Sequence, residues 1–310
     1  MVKYIIKRLL LLIPIILGVS AIIFTLKTLT PGDPARQILG NDATEEQIQA
    51  KRDELGLNDP AVVQYFRYIG GICHGDFGRS YRTGEPVISE ILPRLGTSAI
   101  ITLGAVAIGA VVGILLGILS ALKKYTWVDS LVLVISMFFQ SVPEFVVALV
   151  LIMIFAVNLH VLPATGIDSI KGYILPMATI GLASVANYTR ITRSSMLEVL
   201  SEDYIRTARA KGVKTKMIVL KHALRNSLIP VITYLGPVTA GIITGSFVVE
   251  STFQIPGLGK YYVQCVMSRD YPVIMATTVV LSALVIFMNL VVDIAYKIVD
   301  PRITLTNKED

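Results

Sequence analysis

The chain has 310 residues, 54% of them apolar and 16% charged, and its mean hydropathy is +0.68. Soluble domains carry about 25% charged residues, so the composition predicts an integral membrane protein. The net charge of +6 collects at the ends of apolar runs, where membrane topology accounts for it, and this argues against nucleic-acid binding. The two cysteines, Cys73 and Cys265, are too few for a disulfide framework and lack the spacing of a metal site.

Residues 1–30 predict a cytoplasmic N-terminus followed by a first membrane span. Three cations within the first eight residues precede an apolar run from Leu9 to Leu26. A secretory signal peptide cleaved near Ser20 is the alternative interpretation. The apolar run continues through Phe24, however, and so reaches the length of a span. Two prolines and a glycine within Thr30–Pro34 then end it.

Residues 31–95 differ in kind, because they are polar and mixed in charge. Thr44–Gln47 has the pattern of a capped helix start, and a second start follows at Asn58–Pro60. The segment predicts a small folded subdomain outside the cytoplasm.

Residues 96–300 predict a membrane core of five further helices. With six spans and both termini in the cytoplasm, lysine and arginine are concentrated at the cytoplasmic ends of the spans. The predicted fold is therefore an all-α membrane protein with six spans, a cytoplasmic loop at 190–227 and a cytoplasmic tail at 301–310. The five predicted core spans are 97–122, 131–162, 173–189, 228–249 and 272–296.

Three glycines, Gly109, Gly113 and Gly117, recur every four residues in the second predicted span. This spacing allows close approach of helix backbones. Internal packing and contact with a partner subunit are both compatible with it.

The loop at 190–227 is basic and helix-prone. Between Arg190 and Arg225 it has nine cations and three acids, and Gly212 interrupts it near the middle. The pattern predicts two short helices with a bend, presented to the cytosol. A topology signal alone would also account for the charge.

The motifs of the common enzyme classes are missing from the sequence. The run from Pro256 to Tyr261 is not a Walker A motif, because it lacks the earlier glycine and the Ser or Thr after Lys260. The sequence also has no His-Glu-x-x-His motif and no Gly-x-Ser-x-Gly elbow. We therefore expect neither an ATP site, nor a metal site, nor an enzyme activity of its own.

The basic loop resembles the cytoplasmic "EAA" loop of permease subunits in bacterial ABC importers. Ala208 and Gly212 match the second alanine and the glycine of that pattern. Arg206 and Thr207 replace its Glu and first Ala, and His222–Arg225 stands where Ile-x-Leu-Pro would be. The match to the general motif is thus partial.

The match to the peptide-importer version of this loop is closer, with Ile-Arg-Thr-Ala-Arg-Ala-Lys-Gly at Ile205–Gly212 and His-Ala-Leu at His222–Leu224. The resemblance covers essentially the whole chain and favours the first, B-type permease of oligopeptide importers over the dipeptide and nickel versions. Its other signatures are Thr30–Pro34, His74–Gly78, Thr244–Glu250, Ile255–Gly259, Arg269–Tyr271 and Asp300–Ile303.

The resemblance implies a type I importer permease in the bacterial cytoplasmic membrane that binds no cofactor directly. It implies a second homologous permease, two cytosolic ATPases that hold ATP and Mg, an extracytoplasmic peptide-binding protein, a peptide substrate and surrounding lipid, with no nucleic acid. Residues expected to couple the permease to the ATPases are Asp203, Tyr204, Arg206, Thr207, Ala208, Lys211, Gly212, Lys214 and Lys216.

Glu144 is the strongest candidate for the substrate path. It is the one acid near the middle of a predicted span, and it follows Pro143. An intramembrane charge usually faces a bundle interior or a water-filled cavity, although a structural partner would also explain it. Weaker candidates are Ser141, Asn187, Tyr234 and Thr239, since polar residues within spans more often bond neighbouring helices.

Two alternative functions remain open on the sequence. The same machinery could import a nickel complex or another small solute. A stand-alone channel or membrane scaffold is the alternative of a different class, and it would not co-purify with ATPase subunits.

Overall fold

The computed structural model describes residues 2–40 and 42–299, and within these ranges the regular structure is helical apart from an isolated bridge between Arg79 and Pro86. The predicted all-α class is confirmed. The predicted tail at 301–310 and the Asp300–Ile303 signature lie outside the described residues. In chain order the helices are α1 (Val2–Leu29), α2 (Pro34–Leu39), α3 (Glu45–Glu54), α4 (Ala61–Cys73), α5 (Val87–Leu122), α6 (Trp127–Ser141), α7 (Glu144–Leu151, continued by a π-helix at Ile152–Asn158), α8 (Ile174–Ser201, preceded by a 3₁₀-helix at Ile170–Tyr173), α9 (Asp203–Ala210), α10 (Thr215–Met217, continued by a π-helix at Ile218–Ala223), α11 (Leu224–Ser227), α12 (Ile229–Gly245), α13 (Phe247–Thr252), α14 (Leu258–Met267) and α15 (Tyr271–Val299).

Three stretches of helix in the described residues are long and apolar enough to cross a membrane: Leu10–Leu29, Val87–Leu122 and Tyr271–Val291. A fourth span is possible if α6 and α7 with its π-helix count as one broken segment, although the two halves are bent by 103°. The sequence predicted one continuous span at 131–162. The chain instead breaks at Val142 and Pro143, because proline lacks the N–H of a helical hydrogen bond and disfavours helix at the residue before it.

Length and composition do not confirm the count of six spans. Helix α12 has 17 residues, or about 26 Å at 1.5 Å per residue, which is short of the roughly 30 Å hydrocarbon core. Helix α8 has 28 residues, but its second half carries Arg190, Arg193 and Glu198.

The described chain forms two compact units. The first comprises the chain as far as Gly96 together with Tyr261–Ile286, and the second comprises Thr97–Lys260 together with the residues from Phe287 onward.

The polar segment of the first unit is built from capped short helices. Thr44 and Gln47 form a capping box at the start of α3, as their sequence pattern predicts. Asp33 caps α2 by accepting from the Ala35 N–H at 3.0 Å, and it also pairs with Arg52 at 3.2 Å. Helix α4 docks on α1 through Tyr65, whose hydroxyl donates to the Leu17 carbonyl at 3.0 Å.

Two of the signatures meet within this unit. Arg269 donates to the Pro31 carbonyl at 3.0 Å, and the buried Asp270 accepts from the Ser80 hydroxyl at 2.5 Å and the Tyr81 N–H at 3.1 Å. Burial, with the nearby Asp270 charge, raises the pKa of Tyr81 to about 12. These contacts hold distant segments of the first unit together. The family signatures at these positions are therefore explained by a structural role.

Both cysteines belong to the first unit, where Cys73 is exposed and Cys265 is buried. Both are free thiols.

In the second unit the glycine stripe of α5 packs on α8. A Cβ atom on Gly109 would lie 2.9 Å from the Gly181 carbonyl oxygen, and one on Gly117 would lie 2.6 Å from Thr192 Cβ. A Cβ on Gly113 would collide with Tyr188. Internal packing therefore accounts for the stripe, since only glycine allows this approach.

Candidate functional site

The expected coupling segment is a short helix lying on a buried apolar cluster. Helix α9 turns one face inward, with Ile205 completely buried against Met196, Ile218 and Ala223, and Ala208 partly buried beside them. The cluster ties the segment to α8 and to the π-helix at Ile218–Ala223, so α9 is held as a rigid element.

Gly212 ends α9 in a Schellman motif. Its φ of 74° is left-handed; its N–H donates to the Arg209 carbonyl at 2.9 Å, and the Val213 N–H donates to the Ala208 carbonyl at 3.2 Å. Val213 then packs on the same apolar cluster as Ala208. The bend predicted from the glycine is therefore present and has a specific hydrogen-bonded form.

The remaining coupling candidates are mostly exposed. Tyr204 is also anchored locally, since its hydroxyl accepts from Asn226 Nδ2 at 3.0 Å and lies 3.4 Å from the His222 carbonyl. Arg206 and Asp203 form an exposed ion pair at 3.6 Å. The exposed surface formed by α9, the turn after it and the first residues of α10 is called here the α9 surface. It consists of Asp203, Tyr204, Arg206, Thr207, Lys211, Gly212, Lys214 and Lys216.

The first part of the predicted loop at 190–227 is helix, because α8 continues to Ser201. Arg193 on this extension forms a two-point ion pair with the buried Asp129 of α6, at 2.8 Å and 2.7 Å. Sequence reasoning assigned Arg193 only to topology and overlooked Asp129, which stands two residues before the predicted start of span three. The pair fixes α6 against the helix that leads to α9.

Glu144 lies at a helix start and not in the middle of a helix. It is the first residue of α7, directly after the break at Pro143, so its carboxylate benefits from the dipole of the helix N-terminus. The partly exposed side chain lines a cavity of about 250 Å³ with Ile180 of α8, Gly241 of α12 and Ser246. Within the described residues Glu144 makes no hydrogen bond or ion pair, so the structural partner that the sequence left open is not present there.

Asn187 belongs to a polar cluster that sequence reasoning did not assemble. Arg190 Nη2 donates to Asn187 Oδ1 at 2.7 Å and to Gln140 Oε1 at 2.8 Å, and Gln140 Nε2 donates to Asn187 Oδ1 at 3.2 Å. Gln140 and Arg190 are exposed. We call these three residues the Arg190 cluster. Gln140 gave no signal by itself, because its partners stand 47 and 50 residues away.

The other path candidates bond within their own helix or pack against another helix. Ser141 donates to the Met137 carbonyl at 2.9 Å, and Thr239 donates to the Leu235 carbonyl at 2.7 Å, each within its own helix. Tyr234 packs edge-on against Tyr188, with ring centroids 5.7 Å apart.

Glu250 is a buried carboxylate that the sequence analysis did not single out. It accepts from the hydroxyls of Ser98 at 2.6 Å and Ser246 at 2.8 Å, and from the Lys260 N–H at 2.8 Å. A Cβ on Gly257 would collide with the carboxylate, so the turn at 254–260 closes directly over it. The signal that could have found Glu250 is its place as the last residue of the signature Thr244–Glu250, shortly before the glycine-containing signature Ile255–Gly259.

Family models match almost the entire chain. Residues 113–305 match the model "Binding-protein-dependent transport system inner membrane component", and residues 1–102 match its N-terminal companion, described as a binding-protein-dependent transport system membrane component. The chain belongs to this family. The permease is thus a membrane component of a transport system, and this family resemblance, inferred from the signatures, is confirmed.

Named relatives and solved structures agree with this family. The permease is 43% identical over 303 residues to the glutathione transport system permease protein GsiC of Escherichia coli strain K12, covering 98% of this chain and 99% of that protein. The GsiC protein of Salmonella typhimurium strain LT2 matches with the same identity and coverage. The MetNI methionine ABC transporter, in inward-facing conformations, has a chain that matches with a TM-score of 0.60 at 18% identity, over 69% of this chain and 98% of that one. An amino acid ABC transporter crystallised with histidines matches with a TM-score of 0.50 at 14% identity, over 74% and 97%.

Membership of the family establishes the general role of the permease. It is an inner-membrane transport component and not itself an enzyme. The family implies a partner permease, ATPase subunits and a binding protein. The relatives do not favour the nickel alternative.

Proposed function

We propose that the permease forms, with a second homologous permease, a membrane path for the uptake of short peptides, glutathione among them. The observation that carries this proposal is the 43% identity to a glutathione transport permease along 98% of the chain. Glutathione is itself peptide-sized and zwitterionic, which agrees with the peptide-importer form of the motif at Ile205–Gly212.

We propose six membrane crossings with both termini in the cytoplasm. The crossings are α1, α5, the broken pair α6–α7, α8, α12 and α15. Support comes from the placement of lysine and arginine along the sequence. The short helix α12 and the broken pair α6–α7 are tolerable in such an arrangement where the helix ends meet protein or a water-filled cavity instead of lipid. The polar segment at 31–95 then lies outside, where it would meet the binding protein.

The α9 surface is the proposed docking site for an ATPase subunit, which supplies the ATP and Mg site that the permease lacks. Its support is structural: Ile205 anchors α9 firmly, while Asp203, Arg206 and Lys211 remain exposed. A helix that is packed on one face and exposed on the other is suited to transmitting a rigid-body movement between subunits. Ala208 acts from the inner side, by holding α9 on the apolar cluster.

Glu144 is the main residue that we propose to line the substrate path. A half-buried carboxylate beside a cavity, without a protein partner among the described residues, is suited to a cationic group of a passing solute.

Reconstitution tests the function. The permease, its partner permease and both ATPases are placed in proteoliposomes with the binding protein outside, and accumulation of labelled glutathione and labelled trialanine is followed with and without ATP. We expect ATP-dependent accumulation of peptide and none of a nickel chelate. If the binding protein holds peptide but no peptide accumulates, the proposed function is wrong. Failure of the ATPases to co-purify would instead favour a channel or scaffold.

A further inference from the structure

We infer that Glu144 and the Arg190 cluster form the two ends of one binding site, which takes a zwitterionic peptide by its amine and its carboxylate. This inference rests on the proposed function of peptide uptake and adds the substrate's charge pattern and length. Both halves belong to the second compact unit.

The Arg190 cluster is built to receive an anion. Both N–H groups of Arg190 Nη2 are used by Gln140 and Asn187. Among the described residues the N–H groups of Arg190 Nε and Nη1 donate to no acceptor, and no acid pairs with this guanidinium. Asn187 Oδ1 accepts twice, and its Nδ2 group donates to no acceptor among the described residues, so two further N–H donors are available there. The cluster therefore offers one positive charge and several N–H donors, and a carboxylate satisfies both.

The two amides hold the guanidinium in place. Gln140 and Arg190 lie on different helices, and the closed set of hydrogen bonds with Asn187 joins α6 to α8. A side chain that is already ordered loses little rotamer entropy when a ligand binds. The amides are neutral, so they leave the positive charge available.

The acidic half lies on the same face of α8. Ile180 lines the cavity of Glu144, and Asn187 follows it by seven residues, which is almost two full helical turns. Ser184, also partly exposed, stands between them on this face. Gln140 and Glu144 stand on either side of the break at Pro143. The α6–α7 segment therefore contributes one residue to the basic half of the site and one to the acidic half.

The spacing selects a length. Seven residues at 1.5 Å rise separate Ile180 from Asn187 by about 10 Å along the axis. An extended tripeptide spans about 10–11 Å at 3.3–3.6 Å per residue, whereas a dipeptide spans about 7 Å. With the peptide amine at the level of Ile180 and its carboxylate at the level of Asn187, this axial separation matches the end-to-end length of a tripeptide whose termini are both charged.

The test is equilibrium binding of radiolabelled trialanine to the assembled permease–ATPase complex in lipid nanodiscs, without the binding protein. Competitors are N-acetylated trialanine, trialanine amide, dialanine and pentaalanine. For the parent complex we expect each cap to weaken binding about tenfold or more, since a charge-assisted hydrogen bond is lost. Dialanine should compete less well than trialanine.

Two variants separate the ends of the site. Glu144→Gln should abolish the penalty for N-acetylation and keep the penalty for amidation, and Arg190→Gln should do the reverse. Lys123→Gln removes the same charge from an exposed side chain of the same unit and should leave both penalties at parent values. Arg190→Lys, which keeps the charge without the planar fork, serves if Arg190→Gln does not assemble, and its amidation penalty should be intermediate.

The inference is overturned if both variants keep both parental penalties, or if caps do not affect the parent. Should the parent accumulate peptide in proteoliposomes while the penalties stay unchanged in every variant, the two-ended site alone is wrong. Should no peptide be accumulated by the parent, the proposed function is wrong.

Discussion

Replacing Gly212 with valine should weaken the attachment of the ATPase subunit, because the change distorts the end of α9. Gly212 has a φ of 74°, and a Cβ placed there would meet nothing within 4 Å. The whole penalty therefore comes from the left-handed backbone, about 1–2 kcal/mol for an ordinary L-residue and at the upper end for a β-branched one.

The magnitude translates directly into function. If valine shifts the cap out of the Schellman geometry, the population with a correctly shaped α9 surface falls by a factor of about 5–30 for 1–2 kcal/mol. We expect the dissociation constant of the ATPase for the permease pair to rise by that factor, measured by biolayer interferometry in detergent. ATP hydrolysis stimulated by the peptide-loaded binding protein should fall in parallel. Gly212→Asn should cost much less, because asparagine tolerates the left-handed region.

Gly84 provides a matched control in the first unit. It also has a φ of 74° and nothing within 4 Å of an added Cβ, so Gly84→Val introduces the same backbone strain away from α9. Both valine variants should lower the melting temperature to a similar extent, but only Gly212→Val should weaken ATPase binding. Normal ATPase binding by Gly212→Val, or an equal loss in Gly84→Val, would refute the coupling role of this turn.

Three further outcomes are expected. In a Cys73→Ser background, since Cys73 is exposed, a membrane-impermeant thiol reagent added outside cells should label a cysteine at Glu46 and not one at Lys214; reversed labelling contradicts the topology. Glu250→Ala should lower the melting temperature of the purified complex, because each buried hydrogen-bonding group left unpaired costs about 1–3 kcal/mol, whereas an unchanged melting temperature would show that water replaces the carboxylate. Arg193→Leu should reduce the folded yield more than Lys214→Leu, since it leaves a buried carboxylate without its cation at a cost of about 3–5 kcal/mol; equal yields contradict this.

Local properties of the sequence determined the membrane class, the capped helices and the bend at Gly212. Apolar runs of span length, as in Leu10–Leu29, need no knowledge of neighbours. The cap at Thr44 closes within four residues, and the left-handed turn at Gly212 depends on one missing Cβ. These features rest on backbone preferences that act over one or two helical turns.

The break in the third predicted span was only half visible. Pro143 was noted as a place where a carbonyl is freed, yet a kinked span and a helix pair bent by 103° have the same sequence signal. Packing of α7 against α8 and α13 decides between them. The break also places Glu144, predicted near the middle of a span, at the start of a helix.

Tertiary structure alone decided the polar sites. The Ser98 hydroxyl that helps to hold Glu250 also accepts from the Leu258 N–H, 160 residues away, and Arg190 meets Gln140 across 50 residues. No local pattern encodes such pairs, since a serine or glutamine looks the same in sequence whether it faces lipid, water or a buried carboxylate. The desolvation of a buried charge makes its partners obligatory, and only the folded arrangement of the helices determines which residues they are.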